Sequence, residues 1–331
     1  MHAYITGATG FIGSRLTRAL LAAGDGVSVL ARTPSRAADL ESEGARVVAG
    51  DVTDEVEQLA VGMSGADVVF HLAAIYEIGP ADIAATERIN VHGTRQVIDA
   101  ARAAEVPSIV YVSTVAAYGS TRPGEVADET HLEHYTGEWK STYERTKHGA
   151  HLIAQRAAED GAPVRIASPG GVYGPGDTSM VGVLLKTWLR GLAPMVPFGR
   201  ARFSFVHVDD VVTGLRLVYE QGAIGRDYIL GGQIASILDF VTAAARASGR
   251  RPPRGVLPTR ALRVMAPMSG PFLPRLGMNT RMLREGIPML DGRDWAYSPA
   301  RAQAELGYTY RSLDQGMPET VAWARHDLGA A

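Results

Sequence analysis

The segment Thr6-Gly-Ala-Thr-Gly-Phe-Ile-Gly13 constrains the fold of this 331-residue chain more than any other. Its glycines, spaced G-x-x-G-x-x-G, follow a short apolar run, Ala3–Thr6, and open an amphipathic stretch, Phe11–Ala23. A strand-to-helix turn built this way admits a phosphate. Gly7 permits the tight turn, Gly10 lets backbone approach a pyrophosphate, and Gly13 lets helix and strand pack closely. The free N–H groups and the dipole at the helix N-terminus then favour an anion. The alternative is a tight turn with no ligand, against which its place in a βα unit argues.

The rest of the first half keeps the same rhythm. Val27–Leu30, Arg46–Ala49, Asp67–His71, Ser108–Val112 and Val164–Ala167 read as further buried parallel strands. Phe11–Ala23, Ser35–Glu41, Asp82–Ala104 and Trp139–Asp160 read as the helices between strands. Such alternation implies an α/β fold, a doubly wound parallel sheet with ligands at the carboxyl ends of its strands. After Ser168 the rhythm breaks. Pro and Gly crowd into Ser168–Gly176, Arg251–Gly255 and Ala266–Pro274, as in a smaller lobe built from insertions. The expected division is a dinucleotide-binding domain over 1–167 and a C-terminal substrate-binding lobe over 168–202 and 223–331. Residues 203–222 are expected to return to the main sheet as the strand Phe203–Val208 and the helix Asp209–Glu220.

Composition removes several function classes. A net charge of −2 lacks the basic surface of a nucleic-acid binder. No apolar run is long enough to span a bilayer, and the N-terminus enters a strand at once, which together give a cytoplasmic expectation. With no cysteine there are no disulfides or thiolate sites.

The residue after the second strand bears on the choice of nicotinamide cofactor, because an acid there binds a ribose 2′-hydroxyl and an arginine a 2′-phosphate. The sequence is Val29-Leu-Ala-Arg32-Thr-Pro-Ser35-Arg36. Arg32, Ser35 and Arg36 suit a phosphate, so NADP(H) is expected over NAD(H). Two solvated arginines would leave the choice open. Asp51 either accepts a hydrogen bond from adenine or caps the next helix.

The chain has twelve tyrosines and only three lysines, Lys140, Lys147 and Lys186, yet Lys147 falls four residues after Tyr143. On a helix that spacing puts both side chains on one face. A cation there lowers a phenol pKa from about 10 towards neutrality, making Tyr143 a general acid or base. A core tyrosine beside a surface lysine is the bland alternative.

These residues resemble the extended short-chain dehydrogenase/reductases, the NAD(P)-dependent epimerase/dehydratase family, over nearly the whole chain. The resemblance rests on Thr6–Gly13, His71-Leu-Ala-Ala74, Asn90-Val-His-Gly-Thr94, Ser113-Thr-Val-Ala-Ala-Tyr-Gly119 and Tyr143-x-x-x-Lys147. It continues through Ser168–Asp177, Val206-His-Val-Asp-Asp210 and Glu305-Leu-Gly307. It implies a Rossmann fold and a catalytic trio of Thr114, Tyr143 and Lys147, with Lys147 also on the nicotinamide ribose. Cofactor contacts are implied for Gly7, Thr9, Gly10, Phe11, Ile12 and Gly13, and for Asp51 and Val52. They are implied too for Leu72, Ala73 and Ala74, and for Pro169, Gly170 and Val172. It further implies a homodimer through helices near Asp82–Ala104 and Trp139–Asp160, with Asn90 serving helix geometry or a water relay. In such a site Thr114 and Tyr143 aim two hydroxyl donors at a carbonyl oxygen as it gains alkoxide character, and Tyr143 supplies the proton.

The family contains epimerases, dehydratases and reductases, and departures from its patterns narrow the choice. Val115 and Ala116 stand where nucleotide-sugar dehydratases carry an acidic pair. Phe203 stands where epimerases carry a diphosphate-binding arginine, with Arg202 displaced by one. Aromatic and apolar candidates for the pocket are Tyr76, Tyr135, Trp139, Tyr173, Met180, Met195, Phe198, Phe203 and Phe205, several of which could equally fill a core. With Asp227–Gly232, the sequence is similar to the dihydroflavonol-reductase-like branch and to hopanoid-associated sugar-epimerase-like proteins. The expected activity is interconversion of a hydrophobic ketone or aldehyde with its alcohol; the rivals are a sugar or nucleotide-sugar epimerase and a non-catalytic NADP(H) sensor. His131-x-x-His134 beside Glu129 and Glu133 reads as a polar loop and not a metal site, and His148 and His151 as surface or interface residues.

Overall fold

The computed structural model describes residues 1–192, 194–261 and 280–330. The proline-rich stretch Ala266–Pro274 lies outside the described residues.

The first six strands form where alternation placed them: β1 His2–Thr6, β2 Gly26–Ala31, β3 Arg46–Ala49, β4 Val68–His71, β5 Ile109–Val112 and β6 Val164–Pro169. With β10 (Asp227–Leu230) they form one parallel seven-stranded sheet in the order β10-β6-β5-β4-β1-β2-β3. The order reverses at β1, which pairs with β2 on one side and β4 on the other. The crevice beyond this switch point is where doubly wound sheets take ligands.

Both faces of the sheet are covered, which is why its strands read as continuous apolar runs. Ala3, Ile5, Val110 and Val112 look towards Leu16 and Leu20 of α1 (Phe11–Ala22), and towards Val211 and Leu215 of a later helix. Tyr4, Val69, Ile109 and Tyr111 look the other way. They face Leu59 and Met63 of α3 (Val56–Met63), Val97 of α5 (Gly93–Ala103), and Ala150 and Ala154 of α7 (Thr142–Glu159). Two short helices complete this half: α2 (Ala38–Ser42), after a 3₁₀ turn at Pro34–Ala37, and α4 (Ile83–Glu87). The expected helix Asp82–Ala104 is interrupted: a π turn at Arg88–His92 joins α4 to α5.

One expectation is corrected. The strand at 203–208 does not return to the main sheet. As β9 (Arg202–His207) it pairs parallel with β7 (Gly171–Tyr173) and antiparallel with β11 (Gln233–Ser236) in a separate three-stranded sheet. Its faces belong to two cores, Phe205 packing in the lobe and Val206 under the main sheet. The seventh place, beside β6, goes to β10 (Asp227–Leu230), whose run Tyr228-Ile-Leu230 is buried throughout. The helix of the same expectation does pack on the main sheet, as α9 (Val208–Gln221).

The lobe core gathers Leu185, Trp188 and Leu189 of α8 (Met180–Leu189) with Phe240, Val241 and Ala244 of α10 (Ile237–Ser248). Met317 and Val321 of the helix Leu313–Ala330 close it. Among the described residues no helix is long and apolar enough to cross a membrane.

Candidate active site

At the glycine turn Gly7 adopts φ +76°, and a Cβ there would press on the backbone of Ala73 at 2.7 Å. A Cβ on Gly13 would collide with the carbonyl oxygen of Gly7. The helix that follows has no side-chain cap and no acidic residue in its first turn. Gly10 N donates to Gly7 O at 3.0 Å, and the N–H groups of the first helical turn beyond it lack a side-chain cap, an arrangement that fits a dinucleotide pyrophosphate. Thr9 and Gly10 lie on the turn's exposed rim, with Phe11 and Ile12 half-buried at the helix start. Leu72, Ala73 and Ala74 leave the end of β4, and Pro169 ends β6 with Gly170 beyond it. Val172 sits in the small sheet, paired with Val206.

At the end of β2, Arg32, Ser35 and Arg36 are all exposed. Arg32 lies 3.7 Å from Asp51. Asp51 in turn accepts from the backbone N and hydroxyl of Thr53, both at 2.9 Å, and Val52 packs beneath α5. Asp51 thus serves its own turn while facing Arg32.

The reactive pair sits at the start of α7. Ser141 caps this helix by accepting from Glu144 N at 3.1 Å, and its hydroxyl donates to the Glu144 carboxylate at 2.8 Å. That reciprocal arrangement fixes the first helical turn, and Tyr143 with it. Thr114, which caps the 3₁₀ turn Val115–Ala117, brings its hydroxyl into hydrogen-bonding contact with Tyr143. The sequence-expected partners Thr114 and Tyr143 are thus together.

Lys147 behaves differently from its expected role. Its ammonium donates to the Tyr111 hydroxyl at 3.1 Å and to the Val112 carbonyl at 3.0 Å. Burial pushes the Tyr143 phenol up to about 12, the Thr114 hydrogen bond opposing it. The expected lowering of the phenol pKa is therefore not what this geometry gives, because desolvation outweighs its polar partner. Burial pushes Lys147 itself down to about 7. His71, at the end of β4, is pushed down to about 3 by burial and then by Lys147, so it is neutral. It lies 2.7 Å from the Thr6 hydroxyl and 3.0 Å from that of Thr94.

Asn90, in the π turn, accepts from Ile75 N at 2.7 Å and donates to Ile75 O and the Thr146 hydroxyl, both at 3.1 Å. It ties the loop after β4 to α7.

Around Tyr143 the surroundings are apolar. Ile78, Ala116, Met289, Leu290 and Trp295 are buried with it, and Met180, Phe198 and Phe203 pack against the group. Tyr76 meets the Tyr143 ring edge-on at 4.8 Å. Of the other expected pocket aromatics, Tyr173 and Phe205 are lobe core. Trp139 stacks on His148 at 4.3 Å beside Tyr135, and Met195 is exposed. Arg202 is engaged, donating to Asp294 at 2.7 Å and to Glu125 O at 2.8 Å.

The surface-or-interface reading of His148 and His151 is corrected for His151, while His148 is half-buried. His151 is fully buried, with Nδ1 2.9 Å from the Ser113 hydroxyl and Nε2 3.0 Å from Asp227. His148 Nδ1 meets the Ala117 carbonyl. Sequence reasoning missed this interior set because Tyr111, Ser113 and Asp227 read as ordinary strand residues. His131 meets Ser120 O at 3.3 Å. His207, Asp209 and Glu319 bring ligand-type atoms within 4.8 Å of one another, but Arg15 already binds Asp209 and Arg311 binds Glu319.

Comparison with known proteins bears on the family. The sequence profile described as the NAD dependent epimerase/dehydratase family matches residues 3–231. A 4-hydroxy-2-methyl-3-oxo-4-farnesyl-3,4-dihydroquinoline-1-oxide ketoreductase of Stigmatella aurantiaca is 31% identical, covering 95% of this chain and 94% of its own. Sterol demethylase protein B of Methylococcus capsulatus is 30% identical, covering 98% of each. The solved structure of DesIV, a dTDP-glucose 4,6-dehydratase from Streptomyces venezuelae with NAD bound, superposes with a TM-score of 0.78 at 26% identity, covering 100% of this chain and 98% of that one. The glycine turn fits the cofactor of such enzymes, which when bound supplies the hydride acceptor or donor. By profile, by relatives and by fold, the chain belongs to the NAD dependent epimerase/dehydratase family, the extended short-chain dehydrogenase/reductases, and is an enzyme of that family.

Proposed function

We propose that this enzyme interconverts a hydrophobic ketone or aldehyde and its alcohol, using NADP(H), with Tyr143 as proton donor and acceptor and Thr114 as the second hydroxyl on the substrate oxygen. The observation carrying this reading is the apolar enclosure of Tyr143 by Ile78, Ala116, Met289, Leu290 and Trp295. A mostly apolar cleft with a few convergent polar groups suits a hydrophobic carbonyl. Val115 and Ala116 offer no acid for dehydration. Arg202, held by Asp294, is not free for a sugar diphosphate. Arg32, with its side chain 64% exposed at the end of β2, favours the 2′-phosphate of NADP(H). The similarity to a ketoreductase points the same way. We also propose the expected homodimer, for which the groove between α5 and α7, lined by Ile98, Arg102, Ile153 and Arg156, is the contact face.

A second reading, sugar epimerisation with a retained cofactor, is favoured by the likeness to a nucleotide-sugar enzyme with NAD bound. Absorbance at 340 nm during turnover separates the two. The first reading expects the enzyme to purify without cofactor, to bind NADPH more tightly than NADH, and to consume NADPH with apolar ketones. Tighter binding of NADH would sink the cofactor assignment, and a tightly retained cofactor with no net absorbance change would favour epimerisation.

A further inference from the structure

A buried donor without an acceptor stands in the apolar group around Tyr143. Trp295 is 1% exposed, and among the described residues nothing accepts from its indole Nε1. An indole N–H donates only and is fixed in the ring plane, so a buried one normally has a partner. The histidine nitrogens in the same condition differ, since each lies beside a carboxylate: His151 Nε2 is 3.0 Å from Asp227, and His207 Nε2 is 3.1 Å from Glu319. Trp295 sits instead among Ile78, Ala116, Met289 and Leu290, with Tyr143 in the same group.

The backbone around this indole is pinned. Trp295 N donates to Arg202 O at 2.7 Å, and Trp295 O accepts from Ser204 N at 3.2 Å, which straps the residue to β9 beside Phe203. The residue before it is held by its side chain. The Asp294 carboxylate accepts from Arg202 N at 3.0 Å, Arg202 Nε at 2.7 Å and Gly124 N at 3.0 Å. A phenylalanine would fill an apolar wall without the cost of an unmade hydrogen bond. Such exceptions in a folded protein call for a ligand or a functional role. Exposure rises from Trp295 at 1% through Tyr143 at 8% to Tyr76 at 49%, and Tyr76 meets Tyr143 edge-on. A substrate entering past Tyr76 thus reaches Tyr143 with Trp295 still deeper.

We propose that Trp295 is a specificity-determining residue whose Nε1–H donates to a second, neutral oxygen of the substrate, apart from the carbonyl that Tyr143 protonates. The proposal rests on the oxidoreductase reading above and narrows its substrate to an apolar carbonyl compound with a further acceptor, such as an ester, ketone or ether oxygen. The acceptor is neutral because the apolar group offers an anion no counter-charge. Arg202 is engaged by Asp294, and Lys147 Nζ donates to Tyr111 and Val112. A substrate without the acceptor leaves the buried donor unpaired in the complex, which is the strongest form of discrimination a site can build from one contact.

The test uses the full-length enzyme and Trp295→Phe, which keeps a ring and removes the N–H. Substrates are alkyl keto esters with the ester at successive distances from the ketone, each paired with the plain ketone of equal length. Wild type is expected to prefer at least one keto ester over its plain partner by about fivefold or more in kcat/KM, and Trp295→Phe to lose most of that preference. A general loss of packing cancels, since each ratio compares two substrates on one enzyme. No preference in wild type, or a preference that the variant keeps within about twofold, overturns the proposal. ¹H–¹⁵N spectra read the contact without turnover. The chain has four tryptophans, so Trp295→Phe identifies the Trp295 indole resonance; should that variant not fold, Trp139→Phe, Trp188→Phe and Trp323→Phe identify it by elimination. In the NADPH complex, the hydroxy ester matching the preferred substrate should move this resonance downfield, and the plain alcohol should not. A resonance left in place by the bound hydroxy ester overturns the proposal even in an active ketone reductase. A wild-type enzyme that oxidises no NADPH with any ketone overturns the oxidoreductase reading instead, while the resonance still decides whether Trp295 donates.

Discussion

Tyr143 and Lys147 stand one turn apart on α7, yet different neighbours set their protonation. Tyr143 answers to burial and Thr114, whereas Lys147 answers to burial while donating to Tyr111 and Val112. A lysine held at about 7 in the folded protein, against about 10.5 unfolded, makes the unfolded chain bind more protons between those values. Its contribution to stability therefore rises with pH through that window and is lost as pH falls through about 7. Catalysis has the opposite sign, since reduction uses the protonated form. We expect kcat for ketone reduction to fall as pH rises through about 7, and Lys147→Met to remove that inflection; a pH profile of both enzymes checks it. The Tyr–Lys spacing was legible because lysines are so scarce in this chain. Its electrostatics were not legible, since desolvation depends on which residues from distant strands close over the pair.

At the scale of elements, the start of α7 decides where Tyr143 points. The Ser141 hydroxyl accepts from Glu144 N and donates to the Glu144 carboxylate, so Ser141→Ala should cost about 1 kcal/mol of stability. It should also lower kcat more than it changes KM, with Ser141→Thr restoring most of both; thermal melts and steady-state rates report the two effects. The first six strands were readable because buried parallel strands are short apolar runs between glycine turns and helices. The seventh was not. Phe203–Val208 and Tyr228–Leu230 are equally apolar, and only tertiary packing decides which lies beside β6. The π turn at Arg88–His92 was likewise hidden, because its extra residue changes no hydrophobic period in a helix buried on one side.

For the whole molecule, the start of α7 is held by a residue far along the chain. Glu285, in the helix Thr280–Leu290, accepts from Gly79 N at 2.8 Å and from the Thr142 hydroxyl at 2.9 Å. It joins the loop after β4 to the start of α7 beside Tyr143. Glu285→Ala should raise KM for ketones severalfold while leaving NADPH affinity within twofold, as initial rates and fluorescence titration would show. Nothing in the local sequence marks Glu285, since its role exists only once segments some 140 and 200 residues apart meet. The glycine turn, in contrast, carries its geometry within eight residues, which is why the cofactor half of the site was readable and the substrate half was not. The most direct test of the account is NADPH oxidation by wild type and Tyr143→Phe across a panel of apolar ketones. The account predicts stoichiometric oxidation by wild type, and loss of turnover in the variant with NADPH binding nearly intact. Retention of more than about a tenth of the wild-type rate by Tyr143→Phe would contradict it, since losing the proton donor should cost about 10²–10⁴-fold.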